Sequence, residues 1–134
     1  MAEIVDFLNH GASLITPAVA EGVVKHLPLW KVEFTQINEP KYPHLVDQLE
    51  FLADVAEDFA EGAYKELPYT AFAKAVFALV YAHKKVGIIP DYVPGLCHAD
   101  HSSVVRAVLI QNEKAFTIYA AVRGVDWAKV TNEP

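Results

Sequence analysis

The residues best suited to chemistry in this chain stand close together, between Asp91 and His101. Asp91, the only cysteine at Cys97, and the run His98-Ala-Asp100-His101 supply carboxylate, thiolate and imidazole groups. Such groups bind zinc or manganese, and three protein ligands would leave a coordination position for water. Metal-bound water titrates near neutrality and could attack an ester or a phosphate. One hypothesis is therefore a divalent metal site built from Asp91, His98, Asp100 and His101, with hydrolysis as its use.

The same stretch also has a structural interpretation, as a rigid connector between two helices. Pro90 and Pro94 fix their own backbone and push the residues before them toward extended conformations. Asp91 can accept hydrogen bonds from nearby backbone N–H groups, as an Asx turn does. Asp100 stands just before the last long helix and can cap it, with Ser102 as the competing cap. The order Cys-His-x-Asp-His is not a recognised zinc spacing, so this interpretation is the default.

Charge and motif content argue against several classes of function. The net charge is −6, from 17 acidic and 11 basic residues, and no basic run exceeds Lys84-Lys85, which disfavours nucleic acid as a partner. A single cysteine excludes an internal disulfide and suits a reducing, cytoplasmic setting. The chain carries no glycine-rich nucleotide or phosphate motif and no Gly-x-Ser-x-Gly. Nucleotide binding and serine hydrolysis therefore have no support in the sequence.

The apolar content points to a large core or to a partner surface. Hydrophobic residues make up 53% of the chain, and the mean hydropathy is +0.19. The acidic N-terminus, with Glu3 and Asp6, does not look like a secretory signal. The longest apolar run, 71–83, is shorter than the roughly 20 residues that a spanning helix needs. Peripheral membrane association stays an alternative, through the apolar residues of the loop: Ile88, Ile89, Tyr92, Val93 and Leu96.

Hydrophobic periodicity predicts one all-α domain over residues 1–134, a compact bundle of about five helices with a proline-rich rigid loop. The predicted helices cover residues 3–9, 14–26, 43–64, 69–85 and 102–122. Thr16 should cap the second helix, with Pro17 at its first position, and Gly124 should end the last helix. The fourth helix is apolar nearly all round, which predicts that it is central.

Two features of the predicted helices are interpreted as structural. The acidic residues of the third helix lack the Glu-x-x-His motif of a two-metal bundle and indicate a solvated face. These residues are Glu50, Asp54, Glu57, Asp58 and Glu61. His83, in the fourth helix, is expected to be a partly buried, hydrogen-bonded core residue.

The segment "LWKVEFTQI", residues 29–37, departs from the helical pattern. Trp30, Val32 and Phe34 alternate with polar residues, which is the periodicity of a strand. A lone strand leaves its backbone groups unpaired. The segment should therefore pair with its copy across a dimer, pair with the C-terminal tail, or be helical after all.

The loop and its flanking helices, about residues 65–110, resemble the YkvA-like family, a bacterial domain of unknown function (number 1232). The family signature is an apolar helix, a loop close to "IPDFIP", and two aspartates that open the next helix. In "IIPDYVPGLCHADHSSVV", Pro90, Asp91 and Pro94 match the loop, and Asp100 matches the first aspartate of the pair.

Two residues depart from that signature. Cys97 stands where the family usually has glycine, and His101 stands where it has the second aspartate. The resemblance implies no reaction, although some members lie in or beside membranes. Residues 1–60 fall outside it and are interpreted as an added helical layer or a dimerisation element.

The leading functional hypothesis is a non-enzymatic helical module that binds another protein or itself, with a homodimer expected. It rests on the apolar content, on the unpaired strand-like segment 29–37, and on the lack of a complete catalytic set. The alternatives are metal binding or metal-dependent hydrolysis by the loop 91–101, and peripheral membrane association.

Overall fold

The structure is a computed structural model that describes residues 2–37, 42–84 and 101–130, and all regular structure in these ranges is α-helical. The predicted all-α bundle is confirmed, although the described residues form seven helices rather than about five. They are α1 (Ala2–Ser13), α2 (Pro17–Phe34), α3 (Leu45–Glu61), α4 (Tyr69–Lys84), α5 (His101–Gln111), α6 (Glu113–Arg123) and α7 (Trp127–Val130). No helix within these ranges combines the length and the apolar character needed to cross a membrane.

Helix α4 is the centre of the bundle, as its apolar sequence predicts. It packs against α1, α2, α3 and α5, because a helix that is apolar on nearly every side can be buried only if neighbours surround it. The inner face of α3 is buried at Leu45, Leu49, Leu52 and Ala56, whereas Ala60 is exposed.

Helix α1 is longer than predicted, because Gly11 does not end it. Gly11 is buried, and a Cβ at this position would lie 2.3 Å from Cε1 of Phe77 in α4. The missing side chain lets the backbone of α1 approach the Phe77 ring directly. The glycine is a packing residue inside the helix, since helix α1 continues to Ser13.

The predicted strand over residues 29–37 is wrong, because α2 continues as a helix to Phe34. Its fully buried side chains are Ala20, Leu27 and Phe34, seven residues apart, which is a helical repeat. Val32 and Phe34 would share one face of a strand, yet Val32 is exposed and Phe34 is buried. Pro28 is exposed and is tolerated within the helix.

The helix ends follow local chemistry. Thr16 caps α2 as predicted, since its Oγ1 accepts a hydrogen bond of 3.2 Å from the N–H of Val19. Gly124 ends α6 as predicted, at φ 73°.

One predicted helix is divided in two. The last long helix, predicted over 102–122, breaks at Asn112 into α5 and α6. The Asn112 side chain donates a hydrogen bond of 2.9 Å to the carbonyl of Val108. The inward-facing residues of both halves are buried: Val105, Val108, Leu109, Phe116 and Tyr119.

Candidate interaction surface

The predicted metal site lies almost wholly outside the described residues. Asp91, His98 and Asp100 fall in the range 85–100, as do Cys97 and the prolines at 90 and 94. His101 is the first residue of α5, and only its backbone is described. The metal hypothesis and the connector interpretation therefore both stay predictions. Among the residues that are described, no group of three or more His, Cys, Asp or Glu side chains could hold a metal ion.

Ser102 is the first residue after that stretch whose side chain is described, and its interpretation as a helix cap is wrong. It lies inside the first turn of α5 and is fully buried. Its Oγ accepts a hydrogen bond of 3.2 Å from Nε of Arg106, one turn later. The Ser102 hydroxyl therefore accepts its hydrogen bond from a side chain of the same helix.

The acidic residues of α3 do not form a purely solvated face, because α2 covers part of it. Nζ of Lys31 donates to Oδ1 of Asp54 at 2.7 Å and also to Oε1 of Glu57. Burial lowers the pKa of Lys31, but the hydrogen bonds and charges of the two carboxylates outweigh it, so the pKa is raised above its usual value. Lys31 is therefore a fixed cation that holds α2 against α3.

A third acidic residue of α3, Asp58, contacts α6. Oη of Tyr119 donates a hydrogen bond of 2.5 Å to Oδ2 of Asp58, and Nε of Arg123 lies 3.2 Å from the same oxygen. Burial, together with the hydrogen bond to the carboxylate, raises the pKa of the Tyr119 phenol. The phenol therefore stays a neutral donor, and Asp58 serves the packing of α6.

His83 is partly buried and hydrogen-bonded, as predicted. Its Nε2 lies 2.5 Å from Oε2 of Glu33, and its ring stacks on Trp30 with centroids 4.0 Å apart. Both partners are in the last turns of α2, within the segment whose alternation predicted a strand. His83 thus joins the end of α4 to the end of α2.

A groove of about 450 Å³ lies between α2, α3 and α4. Its apolar lining includes Val24, Phe59 and Phe72, and its charged lining is Glu21, Lys25 and Glu61. The lining also includes Tyr69, whose hydroxyl is engaged in a hydrogen bond of 2.9 Å to the carbonyl of Ile15. The groove therefore presents a mainly apolar surface beside α2.

The side of α2 that faces solvent carries exposed apolar side chains. We call it the outer face of α2 and define it by residues spaced three or four apart along the helix: Ala18, Gly22, Lys25, Leu29 and Val32. By helical geometry this face is opposite the buried line of Ala20, Leu27 and Phe34. Leu29 and Val32 are 58% and 60% exposed, and Lys25 is the one charged member.

A second apolar patch lies on α6 and the residues after it. Ile118, Val122 and Val125 are exposed there. Sequence reasoning missed both surfaces, although the spacing of the α2 residues carries the signal. The signal emerges only when residues 17–34 are treated as one helix.

The comparisons with known proteins add no relative. No family model matches the chain, and no curated protein or solved structure matches it. The resemblance to the YkvA-like family therefore stays a prediction from the loop residues.

Proposed function

We propose that this protein is a non-enzymatic helical module that acts by associating with another protein chain, in the first place with a second copy of itself. The observation that carries the proposal is the outer face of α2, where Leu29 and Val32 are each more than half exposed on the side away from the core. Contiguous exposed apolar side chains of this kind mark association sites in soluble proteins.

Five charged side chains of the described residues support a non-enzymatic role, because each of them is engaged in a contact between helices. Lys31 is held between Asp54 and Glu57, and Asp58 is held by Tyr119 and Arg123. These contacts fasten helices to one another. The strand-like segment no longer supports association, because it is helical to Phe34. The proposal therefore depends on the exposed apolar side chains.

Sedimentation velocity at about 1 to 200 μM, a range suited to small interfaces, tests the proposal. The wild type should move from monomer toward dimer as its concentration rises. A variant with Leu29→Gln, Val32→Gln and Val122→Gln should stay monomeric, because it removes exposed apolar side chains from both surfaces. A wild type that remains monomeric throughout would contradict self-association.

A further inference from the structure

We infer that two copies of this chain pair through the outer faces of their α2 helices, antiparallel and about a two-fold axis that passes near Val23. The inference rests on the proposed function and names the surface, the partner and the register. A two-fold dimer uses the same patch on both copies, so the patch must complement itself. Glycine placement, side-chain size and charge on the outer face of α2 each bear on that requirement.

Gly22 is the first of these features. It lies in the middle of α2, where glycine weakens a helix. A Cβ at Gly22 would meet no described atom within 4 Å, whereas a Cβ at Gly11 would strike Phe77. Close packing within the chain thus accounts for Gly11 but not for Gly22. A glycine on the solvent side lets a second helix approach to about 8 Å between axes, the short end of the usual range.

Side-chain size is the second feature. With the axis near Val23, Leu29 lies opposite Ala18 of the second copy, so a large side chain meets a small one. Val32 lies opposite Leu14 of the second copy, and Leu14 is 62% exposed just before α2. The two Gly22 residues meet near the axis, where the helices are closest. The most exposed apolar side chains near α2 are thus covered by one arrangement.

Charge is the third feature and selects the antiparallel direction. Glu21 and Lys25 form an ion pair of 3.8 Å, with both side chains more than two-thirds exposed. In the antiparallel register, each Glu21 lies opposite Lys25 of the second copy, which creates two attractive contacts. A parallel pairing would put Lys25 opposite Lys25 and Glu21 opposite Glu21, and like charges oppose association.

The size of the contact predicts a weak dimer. Helix α2 has 18 residues and is about 27 Å long at 1.5 Å per residue. One such helix pair covers less than the roughly 800 Å² per partner of a standard interface. We therefore expect dissociation in the micromolar range.

Cysteine crosslinking tests the register in the 134-residue chain whose native cysteine is replaced by Cys97→Ser. Gly22→Cys should form a disulfide-linked dimer under mild oxidation, because the two sites meet near the axis within disulfide reach, about 7 Å between Cα atoms. Val32→Cys is the matched control on the same face. Its two copies would lie about 27 Å apart, so it should not crosslink with itself but should crosslink with Leu14→Cys in a mixture.

A second pair of variants covers the case in which a cysteine at position 22 disturbs the helix. A mixture of Glu21→Cys and Lys25→Cys, both at highly exposed positions, should crosslink between the two variants. Self-crosslinking of Val32→Cys to the same extent as Gly22→Cys would overturn the antiparallel register. If none of these cysteines crosslinks while the wild type still sediments as a dimer, the α2 interface is wrong and the proposed self-association stands. If the wild type is monomeric, the proposed function itself fails.

Discussion

Two helix glycines allow a matched test of how this bundle packs. Gly11→Ala puts a methyl group 2.3 to 2.7 Å from three atoms of the Phe77 ring. Alanine would ordinarily gain about 1 kcal/mol over glycine in a helix. Relieving the overlap by moving a ring costs about 1 to 3 kcal/mol, and more where the ring is held. The Phe77 ring is held, since it packs edge-on against Phe7 at 5.4 Å, so the upper part of that range applies.

We therefore expect Gly11→Ala to lower the free energy of unfolding by about 1 to 2 kcal/mol. Gly22→Ala, whose methyl group meets no described atom within 4 Å, should raise it by about 0.5 to 1 kcal/mol. Urea unfolding followed by circular dichroism, at a concentration where the protein is monomeric, measures both. The variants share one chemical change and differ only in surroundings.

The cause is isolated by a double-mutant cycle. Phe77→Leu removes most of the ring, so Gly11→Ala should lose most of its penalty in that background. Equal effects of the two alanines, or a penalty at Gly11 that survives Phe77→Leu, would refute the close approach of α1 to α4.

Three further predictions concern the polar contacts and the loop. Tyr119→Phe should lower stability at pH 7 by about 1.5 to 2 kcal/mol, since the hydrogen bond to charged Asp58 is lost. The folded-state pKa of Tyr119 is raised from its usual 10, so its contribution to the free energy of unfolding is full below pH 10 and declines above it. In urea titrations at alkaline pH, the wild type should therefore lose stability more steeply than the variant. Lys31→Met should lower the free energy of unfolding by about 1 kcal/mol at neutral pH. The difference from wild type should shrink above pH 10.5, the usual value from which the pKa of Lys31 is raised. A difference that stays constant with pH would contradict the ion-pair account. If the loop binds a divalent metal, wild-type protein purified without chelator should contain the metal stoichiometrically, and the His101→Ala variant should lose it. Equal metal content in the wild type and the variant would end that hypothesis.

The parts of the fold that could be predicted are those in which a local pattern decides burial. The apolar spacing of Leu45, Leu49 and Leu52 specifies the inner face of α3, and the all-round apolar sequence of α4 specifies its central position. The end of α2 was predicted wrongly because two local signals agreed: Pro28 is a residue type that often ends helices, and the three-residue alternation after it is typical of a strand. The longer repeat through Leu27 to Phe34 carried the correct signal.

The side-chain contacts were beyond sequence reasoning for a physical reason. Lys31 and Asp54 are 23 positions apart, and Asp58 and Tyr119 are 61 positions apart. Such pairs are set by how helices dock, which no spacing within one helix encodes. The acidic face of α3 was therefore interpreted as solvated, although three of its five acidic residues contact α2 or α6. The loop hypothesis rests on residues outside the described ranges and stays a prediction.

The central claim, that the outer face of α2 is an association surface, is tested most directly by the dimer dissociation constant of two variants with matched exposure. Burying the exposed part of Leu29 and Val32 is worth about 1 kcal/mol for each side chain, or about 4 kcal/mol for the four in a symmetric dimer. Leu29→Gln with Val32→Gln should therefore weaken the dimer about a thousandfold in sedimentation equilibrium. Val122→Gln, which replaces a residue that is 63% exposed on α6, should leave the dissociation constant unchanged. A loss of dimer in the α6 variant, with the α2 variant still dimerising like the wild type, would contradict the account.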